Sequence, residues 1–249
     1  IEAPMLARLA GEECGLELLR THGKIYEAAA AQMLGVPIEA IKKGNPEYSY
    51  RQTGKGATLA LGYQGGVGSL VSMGALRMGI PEEDLPDIVE RWRNANPAIV
   101  QFWYTVEAAA REAVEHGRRV ELNGGRLVFA REMDESNDFL TIQLPNGRKL
   151  YWGMDQKTHK WGVVETYGGK LVENITQATA RDCLAEAVER LEAAGYPVVF
   201  HIHDEVVIDA PPGRDSLEEV INIMRQVPPW AEGLPLNADG WVNPFFKKD

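Results

Sequence analysis

Cysteine is scarce in this chain, with two residues among 249, Cys14 and Cys183. They stand far apart and match no metal-binding spacing, which sets aside a cysteine-held metal. They read as buried thiols in a reducing compartment. No run approaches the roughly 18 apolar residues of a membrane span, and no signal-peptide pattern opens the chain. Positive charge is in deficit: 26 Lys and Arg face 36 Asp and Glu, for a formal net charge of -10. That argues against nucleic-acid binding through bulk charge, but not against one local basic face. Internal repeats, low-complexity tracts and flexible linkers are all missing. The first residue is Ile1 rather than Met, so a processed, truncated or partly represented chain is expected.

What is present is the composition of a globular protein, 45% apolar and 25% charged. The length allows a large core, as one big domain or two subdomains. Residues 4 to about 120 read as mostly helical. Leu6, Leu9, Leu16 and Leu19 recur at helical spacing. Further helices are predicted near 24–34, from Pro37 onward, over 47–63, and at 81–94 and 97–117. The middle of the chain changes period. RRVELNGGRLVFAR and TIQLPNGRKLYWG each place a turn between alternating runs, so hairpins are predicted over 119–167. A long helix fits 169–194. Two strands then meet at His203-Asp204, and a last helix over 215–226 follows Pro211, Pro212 and Gly213.

HIHDEVVID, residues 201–209, sets Asp204 and Glu205 into a strongly apolar strand. Carboxylates are rarely buried unless they are paired or hold a metal. Two acids at a tight turn suit a hard ion such as Mg2+, which takes oxygen ligands. A plain charged turn is the bland alternative. A His-x-His zinc hydrolase site is a rival, but it needs further ligands, and only His22, His116 and His159 remain.

In RQTGKGATLALGYQGG, residues 51–66, Arg51, Lys55, Leu59 and Tyr63 are four apart. On a helix they drift by only about 40° per step and share one face. Two cations, an apolar residue and an aromatic make a stripe suited to a long anionic ligand, with phosphates at the cations and a base or sugar beyond. The alternative is a solvated basic face. Gly54, Gly56 and Gly62 weaken that alternative, because glycine costs about 1 kcal/mol against Ala inside a helix. Close approach of a ligand or a neighbouring backbone is the expected motive.

Together these stretches resemble family A DNA polymerases. HDE after a strand resembles motif C, and R-x3-K-x3-L-x3-Y resembles the fingers helix, motif B. LALGYQGG, TYGGKLVENITQATARDCL and LPLNADGW resemble the phage-encoded branch. Both motifs in this order, about 150 residues apart, are far more specific than motif C alone. Single-subunit RNA polymerases usually place Ser where Glu205 stands.

The resemblance implies an α+β fold: a palm, with an antiparallel sheet and helices, carrying an inserted all-helical fingers subdomain. Residues 1–12 would be palm, 13–118 fingers and 119–249 palm, with thumb and exonuclease outside the chain. It implies that Asp204, with Glu205 beside it, binds two catalytic Mg2+ ions, Mn2+ being a substitute. Arg51 and Lys55 would grip a dNTP triphosphate, with Lys55 also giving a proton to the leaving pyrophosphate. Tyr63 would stack near the templating position, His203 would lie near the primer end, and Gln177 would touch the DNA minor groove. Arg181, Lys42 and Lys43 are further candidate DNA contacts, with plain surface charge as the alternative.

Two departures stand in the fingers helix. Leu59 replaces the usual Phe or Tyr against the sugar, and Gln64 replaces a glycine. A third lies at the start. IEAPMLARLAGEE resembles the end of motif A, D-Y/F-S-x-I-E-x-R, with Pro4 in place of the Arg. Glu2 would then be the steric gate near the 2' position, partnered with Tyr63. The catalytic Asp of that motif would fall four residues before Ile1. Two-metal transfer needs enough carboxylate oxygens to hold ions roughly 4 Å apart, and Asp204 and Glu205 alone are too few. The expected function is template-directed DNA synthesis from dNTPs on primer-template DNA, in a phage-infected bacterial cytoplasm. An N-terminal segment or chain would supply the missing Asp and the thumb. A non-catalytic nucleic-acid-binding subunit derived from a polymerase is the second reading, and an unrelated metal hydrolase the third.

Overall fold

In a computed structural model, the structure describes residues 1–134, 138–153, 160, 162, 164–210, 213 and 216–246, with His22 described by its backbone only. His159, Pro211 and Pro212 lie outside the described residues. The chain opens with three short helices, α1 (Glu2–Ala10), α2 (Glu13–His22) and α3 (Ile25–Leu34). The leucine periodicity at its start runs through α1 and α2 but is split between them. Gly11 adopts a left-handed φ of 74°, which only glycine enters at little cost, so the first helix closes there.

The helix expected from Pro37 is a single 3-10 turn, Ile38–Ala40. Gly44, Asn45 and Pro46 cut the segment before a second α-helical turn can add its hydrogen bonds. The stripe-bearing segment is one 3-10 turn, Pro46–Ser49, followed by α4 (Tyr50–Leu61). Then come α5 (Val67–Ser72), α6 (Leu85–Ala95) and the long α7 (Pro97–His116). Pro97 sits in the first turn of α7, and the buried carboxylate of Glu12 accepts from the Ala98 N–H at 3.0 Å. A distant acid thus caps an exposed helix end and ties the α1–α2 corner to α7.

The predicted hairpins form one antiparallel sheet, β1 (Val120–Leu122), β2 (Leu127–Met133), β3 (Asp138–Gln143) and β4 (Lys149–Trp152), paired in chain order. The β1–β2 and β3–β4 turns fall on the two Asn-Gly stretches. α8 (Gly168–Ala193) spans 26 residues, about 39 Å at 1.5 Å per residue. One core of buried side chains joins Met33, Leu61, Trp103, Phe129, Ile142 and Ile175, and so unites the helical and sheet regions. The fold is α+β.

β5 (Val198–Ile202) and β6 (Glu205–Ile208) form a separate two-stranded sheet, followed by α9 (Leu217–Met224). One face of this hairpin rests on a small cluster containing Leu191, Tyr196 and Ile223. The hairpin is not the core strand that its apolar sequence predicts: Val199 is 61% exposed and Phe200 39%. A β-branched run specifies a strand, but burial depends on what packs over it. A second correction concerns the thiols. Cys183 is buried, whereas Cys14 lies exposed on α2.

Candidate nucleotide and metal site

The stripe on α4 forms as the spacing predicts. Along α4 and its exit, Arg51, Leu59 and Tyr63 are half-buried and Lys55 is exposed, while Thr53, Gly54, Ala57, Thr58 and Leu61 face inward. Two of the glycines meet neighbouring structure rather than ligand. A Cβ on Gly54 would lie 2.0 Å from the Tyr26 carbonyl oxygen, and one on Gly62 would lie 2.9 Å from Leu6. Gly54 therefore lets alanine-rich α3 lie close against α4. Gly56 has nothing nearer than 4.0 Å, and nothing in the packing explains it.

That approach brings two side chains to the stripe. Glu27 Oε1 accepts from Arg51 Nε at 3.0 Å, and the Arg51 guanidinium sits 5.5 Å from the centroid of the Tyr26 ring. A carboxylate on one side and a ring face on the other hold the guanidinium in place. Lys55 makes no ion pair with the described residues.

Glu2, at the start of α1, meets the far end of the stripe. The Tyr63 hydroxyl donates to Glu2 Oε2 at 3.2 Å, across 61 residues of sequence. Burial, then the Glu2 carboxylate, pushes the Tyr63 phenol far above its ordinary range, so the proton stays on the phenol. The Tyr26 phenol is also raised, chiefly by burial; it feels the opposing charge of Arg51 and the carboxylates of Glu2 and Asp204. Arg51, Tyr26, Tyr63, Glu2 and Asp204 thus surround one region.

Asp204 enters this region from the β5–β6 turn. Ile202 pairs with Glu205, so His203 and Asp204 form the connection. His203 takes a φ of 53°, a left-handed conformation uncommon outside glycine that is tolerated at tight turns and functional sites. The turn presents rather than buries its acids. The Asp204 side chain is 69% exposed, with its Oδ2 4.0 Å from the Ile1 backbone nitrogen; His203 is exposed and Glu205 half-buried. Among the described residues no three His, Cys, Asp or Glu gather as metal ligands. Of the further histidines, His116 pairs with Glu112 on α7. Asp204 and Glu205 still offer hard carboxylate oxygens of the kind that hold Mg2+ when phosphates or water complete its shell.

Gln177 and Arg181 are both exposed on α8, one turn apart on the same face. Lys42 and Lys43 are exposed beyond α3, with no described contact tying them to the site.

Sequence reading missed Tyr26, Glu27 and the partner of Gln64. The amide oxygen of Gln64 accepts from the Gly169 N–H at 2.8 Å. The alanines after Glu27 signalled a tightly packed helix, but not which residues it would carry to Arg51.

A scan against protein-family models finds no match. Over 267 aligned positions the chain is 52% identical to the DNA polymerase of Bacillus phage SP02, using all of this chain and 40% of that protein. The chain therefore spans less than half the length of this relative. Among solved structures, the POL domain of Pol1 from M. smegmatis, in complex with DNA primer-template and dNTP, matches with a TM-score of 0.59 at 16% identity. The match covers 90% of this chain and 34% of that one, and it shows the fold. No helix among the described residues is long and apolar enough to cross a membrane. The resemblance to the phage-type family A polymerases is borne out: along its whole length this chain is related to part of a phage DNA polymerase, and it carries a polymerase POL-domain fold.

Proposed function

We propose that this chain is the fingers and palm of a template-directed DNA polymerase, joining a dNTP to a primer 3'-OH. The observation that carries the reading is convergence. Segments far apart in sequence bring a cationic stripe, a phenol–carboxylate pair and an acidic turn to one region. The SP02 polymerase, similar over this whole chain, supports it.

On this reading Arg51, braced by Glu27, and Lys55 hold the triphosphate, and Lys55 protonates the departing pyrophosphate. Leu59 lies along the sugar. Tyr63 and Glu2, bonded to each other, form a wall where a 2'-hydroxyl would stand, and so favour deoxynucleotides. Tyr63 also faces the templating base. His203 lies by the primer end, and Gln177 and Arg181 on α8 follow the duplex. Asp204 and Glu205 would hold divalent ions, Mg2+ by preference, which supply charge stabilisation at the transferring phosphoryl group. Residues 13–118 form the fingers, and residues 1–12 and 119–249 the palm. The protein is phage-encoded and acts in the cytoplasm of a bacterial host.

Two carboxylates are too few for two ions, so a third acid is drawn from polypeptide beyond this chain, which also supplies the thumb. The exposed apolar face of β5–β6 offers that polypeptide a surface. Primer extension tests the reading. With Mg2+ and dNTPs, the chain alone should extend a primer poorly or not at all, and the intact polymerase should extend it robustly. Robust extension by the isolated chain would refute the shared-site reading, and none by the intact protein would favour a non-catalytic DNA-binding role.

A further inference from the structure

Gln64 occupies a backbone position that suits glycine, and the structure gives a reason for the side chain. Backbone bonds close the end of the fingers helix there. The Gly65 N–H reaches the Ala60 carbonyl at 3.2 Å and the Gln64 N–H reaches the Leu61 carbonyl at 3.3 Å. This closure needs a left-handed residue after the helix, and glycine is its usual occupant. Gln64 takes the conformation with a φ of 67°, at a strain that glycine would avoid.

The side chain reaches from that corner to another element. Its Oε1 accepts from the Gly169 N–H in the first turn of α8, a donor with no partner inside its own helix. The two backbones are also in contact. A Cβ on Gly169 would lie 2.4 Å from the Tyr63 carbonyl oxygen and 2.5 Å from the Gln64 Cβ. Two other side chains grip the same corner. Trp103 Nε1 donates to the Gly62 carbonyl at 2.7 Å, and Arg93 Nη2 donates to the Gly65 carbonyl at 3.0 Å. Both come from α6 and α7. Among these three bonds, only that of Gln64 ties the corner to α8, which carries Gln177.

Tyr63 stands between the anchored Gly62 and Gln64, and its hydroxyl must meet Glu2 on α1 at 3.2 Å. We infer that Gln64 is a positioning residue for sugar discrimination: by clasping the start of α8 it fixes the Tyr63 backbone so that the phenol meets Glu2. The inference rests on the polymerase reading above. Glycine at this position would keep the helix closure and the Trp103 and Arg93 bonds, and would lose only the clasp.

The test is single-nucleotide primer extension by the intact polymerase containing this chain, measuring kcat/KM for a dNTP and the matching rNTP. Gln64→Gly removes the clasp without backbone strain, and its dNTP-to-rNTP ratio should fall about fivefold, the worth of one such hydrogen bond, with the melting temperature little changed. Gln64→Glu keeps an acceptor facing α8, favoured by the helix dipole, and should return the ratio to near wild type. In a Tyr63→Phe background, which has no hydroxyl to position, Gln64→Gly should change the ratio no further. An active wild type with an unchanged ratio in Gln64→Gly overturns the role of Gln64 alone. An intact wild-type protein that extends no primer overturns the polymerase reading and this inference with it.

Discussion

Asp204 is held by a turn rather than by packing, with its side chain 69% exposed. Its removal should therefore separate stability from activity. Asp204→Ala should change unfolding free energy by no more than about 0.5 kcal/mol, as for other surface positions. In the intact polymerase the same change should cut primer extension by at least about a hundredfold. Near-wild-type extension by the variant would remove Asp204 from the site. The two cations of the stripe make a second contrast. Lys55 is exposed and makes no described ion pair, so Lys55→Ala should weaken dNTP binding and leave stability alone. Arg51 is engaged by Glu27 and lies over Tyr26. Arg51→Ala should weaken dNTP binding and also lower stability by about 1 kcal/mol, since it leaves the half-buried Glu27 unpaired. Chemical denaturation beside nucleotide-dependent extension distinguishes the two.

Among the elements, α3 against α4 is the pairing on which the stripe depends, and its glycines allow a direct test. Gly54→Ala drives a Cβ into the backbone of α3, at 2.0 Å from the Tyr26 oxygen, and should destabilise by about 1–3 kcal/mol, as other overpacked sites do. Gly56→Ala meets only the Met73 Cβ, at 4.0 Å, and should stabilise by up to about 1 kcal/mol. If both variants behave alike in denaturant melts, the close packing of α3 on α4 is wrong. The elements most legible from sequence were those whose signals are local: α7 between Pro97 and Gly117, α8 before Gly195, and the turns at Asn-Gly. The stripe was legible because helical period alone puts Arg51, Lys55, Leu59 and Tyr63 together. Glu27 beside Arg51 was not, since the pair joins two helices across 24 residues of chain. Exposure of β5–β6 was equally hidden, because the period of a strand says nothing of what lies over it.

At the scale of the whole molecule, the net charge of -10 means that the proposed DNA contact would rest on local cations on α4 and α8. pH sensitivity has an identifiable buried source. Burial, then Glu186 and Asp182, pushes the Cys183 thiol from its ordinary 9.0 up to about 12. The folded chain keeps this proton at pH values where the unfolded chain has lost it. Below pH 9 both states hold the proton and the thiol adds no pH dependence. From there toward 12 unfolding releases a proton, so stability falls as pH rises. Equilibrium unfolding at about pH 8 and about pH 10.5 should show the decline, and Cys183→Ala should reduce it, the raised Tyr63 and Tyr26 phenols supplying the remainder toward the upper pH. A slope that the substitution leaves unchanged would assign the whole effect to other groups. The second thiol differs in kind. Cys14 is exposed on α2 and Cys183 is buried, so within the folded chain a maleimide dye has one address. The same reagent acquires a second address only when α8 opens. Counting labels per chain therefore counts unfolded molecules, and the native label marks one known position on α2 for single-molecule distance work without any cysteine engineered into this chain.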